Sequence, residues 1–185
     1  MTHETAAALD AMAAGLAARA ALAEHGAAPR FRYDVRCVGA DGTERWAEAF
    51  DNLVTDQGAN FLLEVGFGAT AKPANWFLGL IGSGTPVAGD TYATHAGFTE
   101  STAYSNANRP TLAFAAASGR SKATSAAASF TINATATITG AFTATAATKG
   151  DTAAAGAVLY SAGLFSVARS VLSGDTLAVT LTLSA

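Results

Sequence analysis

Three histidines, one cysteine and a thin supply of carboxylates are the residues here whose chemistry reaches beyond packing. His3 and His25 stand at the two ends of an alanine-rich stretch, and His95 lies alone among glycines and threonines. Protein-built metal sites repeat their ligands at short spacings, such as two histidines on one helix face or paired cysteines, and no such spacing occurs. No metal ligand set and no cofactor are expected. Asp90 and Glu100 flank one loop and have the oxygens for Ca²⁺, but no acidic cluster with calcium-loop spacing joins them. Cys37 falls on the aromatic side of an alternating stretch with no base nearby, which is the setting of a buried structural thiol rather than a nucleophile. A single cysteine also excludes an intrachain disulfide.

Nucleophile elbows and phosphate-binding loops are missing as well. The glycines of Gly79-Leu80-Ile81-Gly82-Ser83-Gly84 follow an apolar run, but Pro86 and Gly89 do not open a helix behind them, so they read as a turn. Glycoside hydrolysis needs two convergent carboxylates, and the acids crowd into the first third of the chain. No catalytic residue is assigned and no enzymatic activity is expected. The aromatics Trp46, Trp76, Phe77, Tyr92, Phe98 and Tyr104 have two readings, a carbohydrate-binding face or a core with loop anchors. Trp76 and Phe77 belong to the most apolar run and are expected in the core.

The elements that would position these residues are mostly strands. Arg30–Val38 alternates, with Phe31, Tyr33, Val35 and Cys37 on one face and Arg30, Arg32, Asp34 and Arg36 on the other, which predicts a half-buried strand. An Asp41-Gly42 turn and a second alternating run through Trp46 and Phe50 complete a hairpin over 30–50. Arg30, Arg32 and Arg36 can pair across it with Glu44 and Glu48. Thr55 is a good N-cap for a short helix over about 55–65, closed by Gly66 and Gly68. The continuous apolar run 75–82 predicts a strand buried on both faces. Residues 83–110 form a long polar loop, with a short strand near Gly97-Phe98-Thr99-Glu100. Beyond Pro110, runs over 111–117, 128–133, 137–146 and 156–163, and the alternation of Leu177, Val179, Leu181 and Leu183, predict further strands. Together these give a mainly β fold: an antiparallel β-sandwich or jelly-roll-like domain over 30–185, with strands over 75–185. Ahead of it, an Ala-rich helix over 4–25 makes residues 1–29 a helical arm. Its larger apolar residues, Leu9, Met12, Leu16 and Leu22, recur at three- and four-residue spacing and share one stripe.

Composition narrows the function. The chain has 185 residues, enough to bury a core without staples. Its net charge is −3, which argues against a nucleic-acid surface built on basic charge. No run approaches the length of a membrane span, and the first residues lack the basic start of a secretory signal, so a soluble chain made in the cytosol is expected. Charge is spread unevenly: residues 121–185 carry only Lys122, Lys149, Asp151, Arg169 and Asp175. A free domain usually coats itself with ionised groups, whereas interface cores are depleted in them. The last third is therefore either a Thr/Ser-faced surface that simply dissolves or one that lies against other protein.

Several segments resemble a family of small accessory virion proteins of tailed bacteriophages. They are Asn52-Leu53-Val54-Thr55 with Gly58, Asn60 and Leu62-Leu63; Trp76-Phe77-Leu78-Gly79-Leu80; Gly89-Asp90-Thr91, His95 to Glu100, Ala103-Tyr104 and Arg109-Pro110; and Ser173 to Leu177. The resemblance covers about 52–185 and leaves out the arm and most of the hairpin. It implies a virion component, expected first as a capsid decoration (cement) protein that binds the major capsid protein, with a homotrimer favoured and neither nucleic acid nor membrane as partner. In that reading Leu9, Met12, Leu16, Arg30, Arg32 and Arg36 are the partner contacts. The alternative is a fibre or spike module on tail or head, in which Tyr92, His95, Phe98 and Tyr104 form an exposed loop that recognises a host receptor.

Overall fold

The computed structural model describes residues 30–150 and 152–184. The expected helix 4–25, with Leu9, Met12 and Leu16, lies outside the described residues. Eleven strands and one helix are described: β1 (Arg30–Val38), β2 (Glu44–Asp51), β3 (Leu53–Val54), α1 (Asp56–Phe67), β4 (Trp76–Gly84), β5 (Phe98–Ser101), β6 (Thr111–Leu112), β7 (Ser121–Ala123), β8 (Ala128–Thr131), β9 (Ala136–Ala144), β10 (Leu159–Val171) and β11 (Thr176–Ser184). The fold is mainly β, and every strand pair is antiparallel.

Two sheets divide the strands. The first runs β2-β1-β11, with β7 and β8 sharing the far side of β11. The second runs β3-β10-β9-β4, with β5 and β6 sharing the far side of β4. The alternation read in β1 and β11 is what the first sheet needs: Phe31, Tyr33, Val35 and Cys37 are buried beside Leu177, Val179 and Leu181. These meet Leu78, Leu80, Ile138, Tyr160 and Val171 of the second sheet in one core. The Tyr33 hydroxyl reaches across to Thr143 Oγ1 (2.8 Å) and Ser161 Oγ (3.0 Å), so the buried phenol is satisfied from the opposite sheet.

The second sheet is buried on its other face too. Ile81, Phe142, Leu159 and Ala162 pack there with Tyr92 and Phe98 from the 83–110 segment. That is why the run from Trp76 is apolar without alternation, as expected of a strand covered twice. Glycines make room within the sheet: a Cβ on Gly79 would lie 2.1 Å from the Phe142 ring, and one on Gly140 would lie 2.1 Å from the Gly163 carbonyl oxygen.

Several boundaries differ from expectation. The helix runs to Phe67 and is capped by Gly68, whose N–H bonds to the Glu64 carbonyl, so Gly66 lies inside it. The run 111–117 gives only β6 as a strand; beyond it the chain doubles back, with Phe114 bridging Thr124 and Ser118 bridging Ser121. β10 continues past Gly163 to Val171 and leaves its register with β9 between Leu164 and Arg169. There Glu48 supplies partners that β9 does not, accepting from Ser166 N–H (3.0 Å) and pairing with Arg169 (2.5 Å). Glu48 sits opposite Val35, a core-facing residue, so it does not meet the arginines of β1. Of the expected cross-hairpin pairs, Arg36–Glu44 forms at 2.9 Å. Trp76 and Phe77 are half-buried rather than central.

Candidate interaction surfaces

The segment expected to expose aromatics hides them instead. Tyr92, Phe98 and Tyr104 are at most 4% exposed, and His95 is half-buried, its ring stacked on Phe98 at 4.5 Å. The exposed loop expected from Tyr92, His95, Phe98 and Tyr104 is thus corrected: Tyr92 and Phe98, with His95 stacked on the latter, cover the second core, while Tyr104 packs on Phe130 in the first. The cause is the open outer face of the second sheet, which must be covered by something apolar.

An ion pair pins this lid. Arg109 and Glu100 form two parallel bonds of 2.8 and 2.7 Å, with the side chains 1% and 6% exposed. Arg109 Nη1 also donates to the Tyr92 hydroxyl and the Ala146 carbonyl, both at 2.9 Å. Burial works against the guanidinium charge, but the hydrogen bonds it donates to Glu100 and Tyr92 outweigh it and raise the pKa of Arg109. Glu100 further accepts from Gly150 N–H at 2.6 Å. Asp90, 5% exposed, accepts from Val87 N–H at 2.8 Å. Both carboxylates that had oxygens for Ca²⁺ are therefore engaged in holding the loop.

Cys37 is fully buried and its thiol lies 3.6 Å from the Asp175 carboxylate. Burial, with that negative charge beside it, pushes the thiol up to about 12. The burial is what its place on the aromatic face of β1 led one to expect. Among the described residues there is no group of three His, Cys, Asp or Glu placed to hold a metal ion, and no helix is long and apolar enough to cross a membrane.

What the molecule does present is two accessible surfaces of different character. On the outer face of the first sheet, Arg30, Arg32 and Arg36 stand exposed in a row. A shallow depression beside them is floored by Ala47, Ala49, Ala127, Ala178 and Thr180. Arg32 leans on Asp34 at 3.5 Å, and Arg36 on Glu44. Of the expected partner contacts, these three arginines are brought together on one accessible face.

The second surface is built around α1. Thr55 is fully buried; its hydroxyl accepts from Gly58 N–H (3.0 Å) and donates to the Leu159 carbonyl (2.6 Å), so one side chain both caps the helix and fastens it to β10. Gln57 adds a second fastening, its Oε1 accepting from Tyr92 N–H (2.9 Å) and Leu159 N–H (2.8 Å). Gly58 lies so close that a Cβ would meet the Tyr160 carbonyl oxygen at 2.2 Å. It is the helix's one buried residue.

The helix is fastened at its first turn, and beyond it Leu62 packs against the first core and Phe61 meets the Trp76 ring edge to face at 5.9 Å. Phe61, Leu62 and Val65 wall a groove of about 500 Å³, faced by Trp76, Phe114 and Leu183 and floored by Phe31, Thr143 and Tyr160. The groove is within the size range of ligand and side-chain pockets. The Tyr160 hydroxyl in its floor is buried with no protein partner. Leu63 and Phe67, on the other side of the helix, are 59% and 92% exposed. Sequence reasoning did not single out this surface, although Phe61-Leu62-Leu63-Glu64-Val65-Gly66-Phe67 holds more apolar residues than one helix face can hide. No protein-family model matches this chain, and no curated protein matches it.

Proposed function

We propose that this chain is a non-enzymatic structural component of a tailed bacteriophage particle: a capsid decoration protein that binds the major capsid protein and is located on the virion. The observation that carries this reading is α1, fastened by Thr55, Gln57 and Gly58 yet leaving Leu63 and Phe67 in water. A monomer that worked alone would gain by making such positions polar, and exposed apolar residues of this kind mark contact surfaces. The low charge of residues 121–185 and the alanine floor beside the arginine row support the same reading. So does the resemblance of 52–185 to accessory virion proteins.

In this reading the two sheets form a rigid β-sandwich and the function is mechanical. Arg30, Arg32 and Arg36 meet the shell, and contact area spanning neighbouring capsomers resists the outward pressure of packaged DNA. A specific interface buries about 1,200–2,000 Å², and shell symmetry repeats that gain. The receptor-binding alternative draws less support, because Tyr92, Phe98 and Tyr104, on which it relied, are buried.

Two measurements test the proposal. Immunogold labelling of intact particles is expected to decorate the shell. Particles assembled without this protein are expected to lose their DNA at lower temperature and lower salt than complete ones. Equal survival refutes the cementing role, and absence from purified particles refutes the whole reading.

A further inference from the structure

Helix α1 carries apolar residues on two sides. Phe61, Leu62 and Val65 line the groove. Leu63 and Phe67, four residues apart, stand together on the side facing water. The Glu64 carboxylate belongs to the same end of the helix, since a Cβ on Gly68 would meet one of its oxygens at 2.2 Å. The outward side is therefore a knob with an aromatic tip, Phe67, and a carboxylate beside it. The groove is its chemical complement. Its walls are apolar and largely aromatic, and Lys72 and Lys122 are the charged residues among its lining. Knob and groove lie on two sides of a single helix, so a chain cannot fill its own groove with its own Phe67.

We propose that the occupant of the groove is a second copy of this chain, with Phe67 of one protomer seated against Phe114 and the edge-to-face pair Phe61–Trp76 of its partner, and Glu64 set against Lys72 at the mouth. The contact joins two unlike surfaces, so it runs head to tail and closes into a ring when the rotation per copy allows. Three copies would satisfy the trimer expected from the resemblance. The inference deepens the particle reading by supplying the contact through which copies assemble.

Sedimentation of the full chain tests it. The wild-type protein is expected to associate. F67S and K72E are each expected to weaken association by about tenfold or more, as loss of a central aromatic or of a paired charge does. Circular dichroism is expected to stay unchanged, because both residues are exposed. The double variant E64K/K72E is expected to recover most of the lost association. An equimolar mixture of F67S and K72E has one sound junction, the K72E knob in the F67S groove, and is expected to form a two-chain species and stop there. A monomeric wild type, an F67S variant that associates like wild type, a charge swap that restores nothing, or a mixture no larger than its parts would each overturn the inference. If copies fail to associate while the chain is still found on particles, this contact falls and the particle reading stands. If they associate but are absent from particles, the reverse holds.

Discussion

Arg109 and Glu100 are nine residues apart and meet through two parallel hydrogen bonds of 2.8 and 2.7 Å beneath the segment that joins them. The pair is buried, and the guanidinium lies 5.1 Å from the Phe142 ring centroid, so the charge is held between a carboxylate and an aromatic face. A long polar loop thereby becomes a fixed lid on the second sheet.

Removing one partner leaves the other charged and buried. Arg109→Ala is expected to cost about 3–5 kcal/mol in urea unfolding. Arg109→Lys is expected to recover only part of it, because an ammonium cannot make the two-pronged bond. Amide exchange across 85–100 is expected to rise in the alanine variant before the strands of the first sheet respond.

Gly58→Ala would normally help a helix by about 0.5–1 kcal/mol. Here the new methyl meets the Tyr160 carbonyl oxygen at 2.2 Å. The expected result is a loss of about 1–3 kcal/mol, the range for overpacking. Thermal unfolding checks the sign, and a gain would mean that α1 is not seated as described.

Glu48 gives a pH signature. Its bonds from Arg169 and Ser166 lower its carboxyl to about 2 from an ordinary 4.5. A group with a depressed folded-state pKa stabilises the fold above its unfolded value and loses that contribution as pH falls through the folded one. Stability is therefore expected to decline between about pH 4.5 and pH 2. Glu48→Gln is expected to be less stable at neutral pH and to show a shallower decline across the same window, read by denaturant titration at each pH.

Cys37 is expected to resist thiol reagents while the protein is folded. With its thiol pushed up to about 12, almost none is thiolate at neutral pH, and the sulfur has no solvent access. Labelling in increasing urea is expected to follow the unfolding transition. Labelling that runs ahead of it would show that β1 and β11 open separately.

The strands that could be read from sequence are those whose two faces differ. β1 alternates because one side meets the core and the other meets water, and β11 keeps Leu177, Val179 and Leu181 buried on the same principle. The Thr55 cap was legible for the same kind of reason, since its hydroxyl bonds to Gly58 three positions on. Sheet membership was not legible: Glu48 pairs with Arg169, 121 residues away, and no local pattern announces it. Nor was the burial of Tyr92, Phe98 and Tyr104. A polar-looking segment conceals rings whenever surfaces elsewhere in the chain need covering: Tyr92 and Phe98 cover the outer side of the second sheet, and Tyr104 packs on Phe130 in the first core. The apolar excess of α1 was visible as composition, but only the close seating of Gly58 shows which side is left over.

Arg30 and Ser184 are registered partners across β1 and β11, so the described unit starts and finishes at neighbouring points on one sheet. A polypeptide whose ends meet in this way can be spliced into a surface turn of a larger protein without prising that turn apart. It can equally be sewn end to end with a few glycines and reopened at the Asp41-Gly42 bend. That corner adjoins the helix-lined groove, because Phe31 and Leu183, the neighbours of Arg30 and Ser184, belong to its lining, so anything joined at either end of the described unit emerges beside the groove and the first arginine of the row.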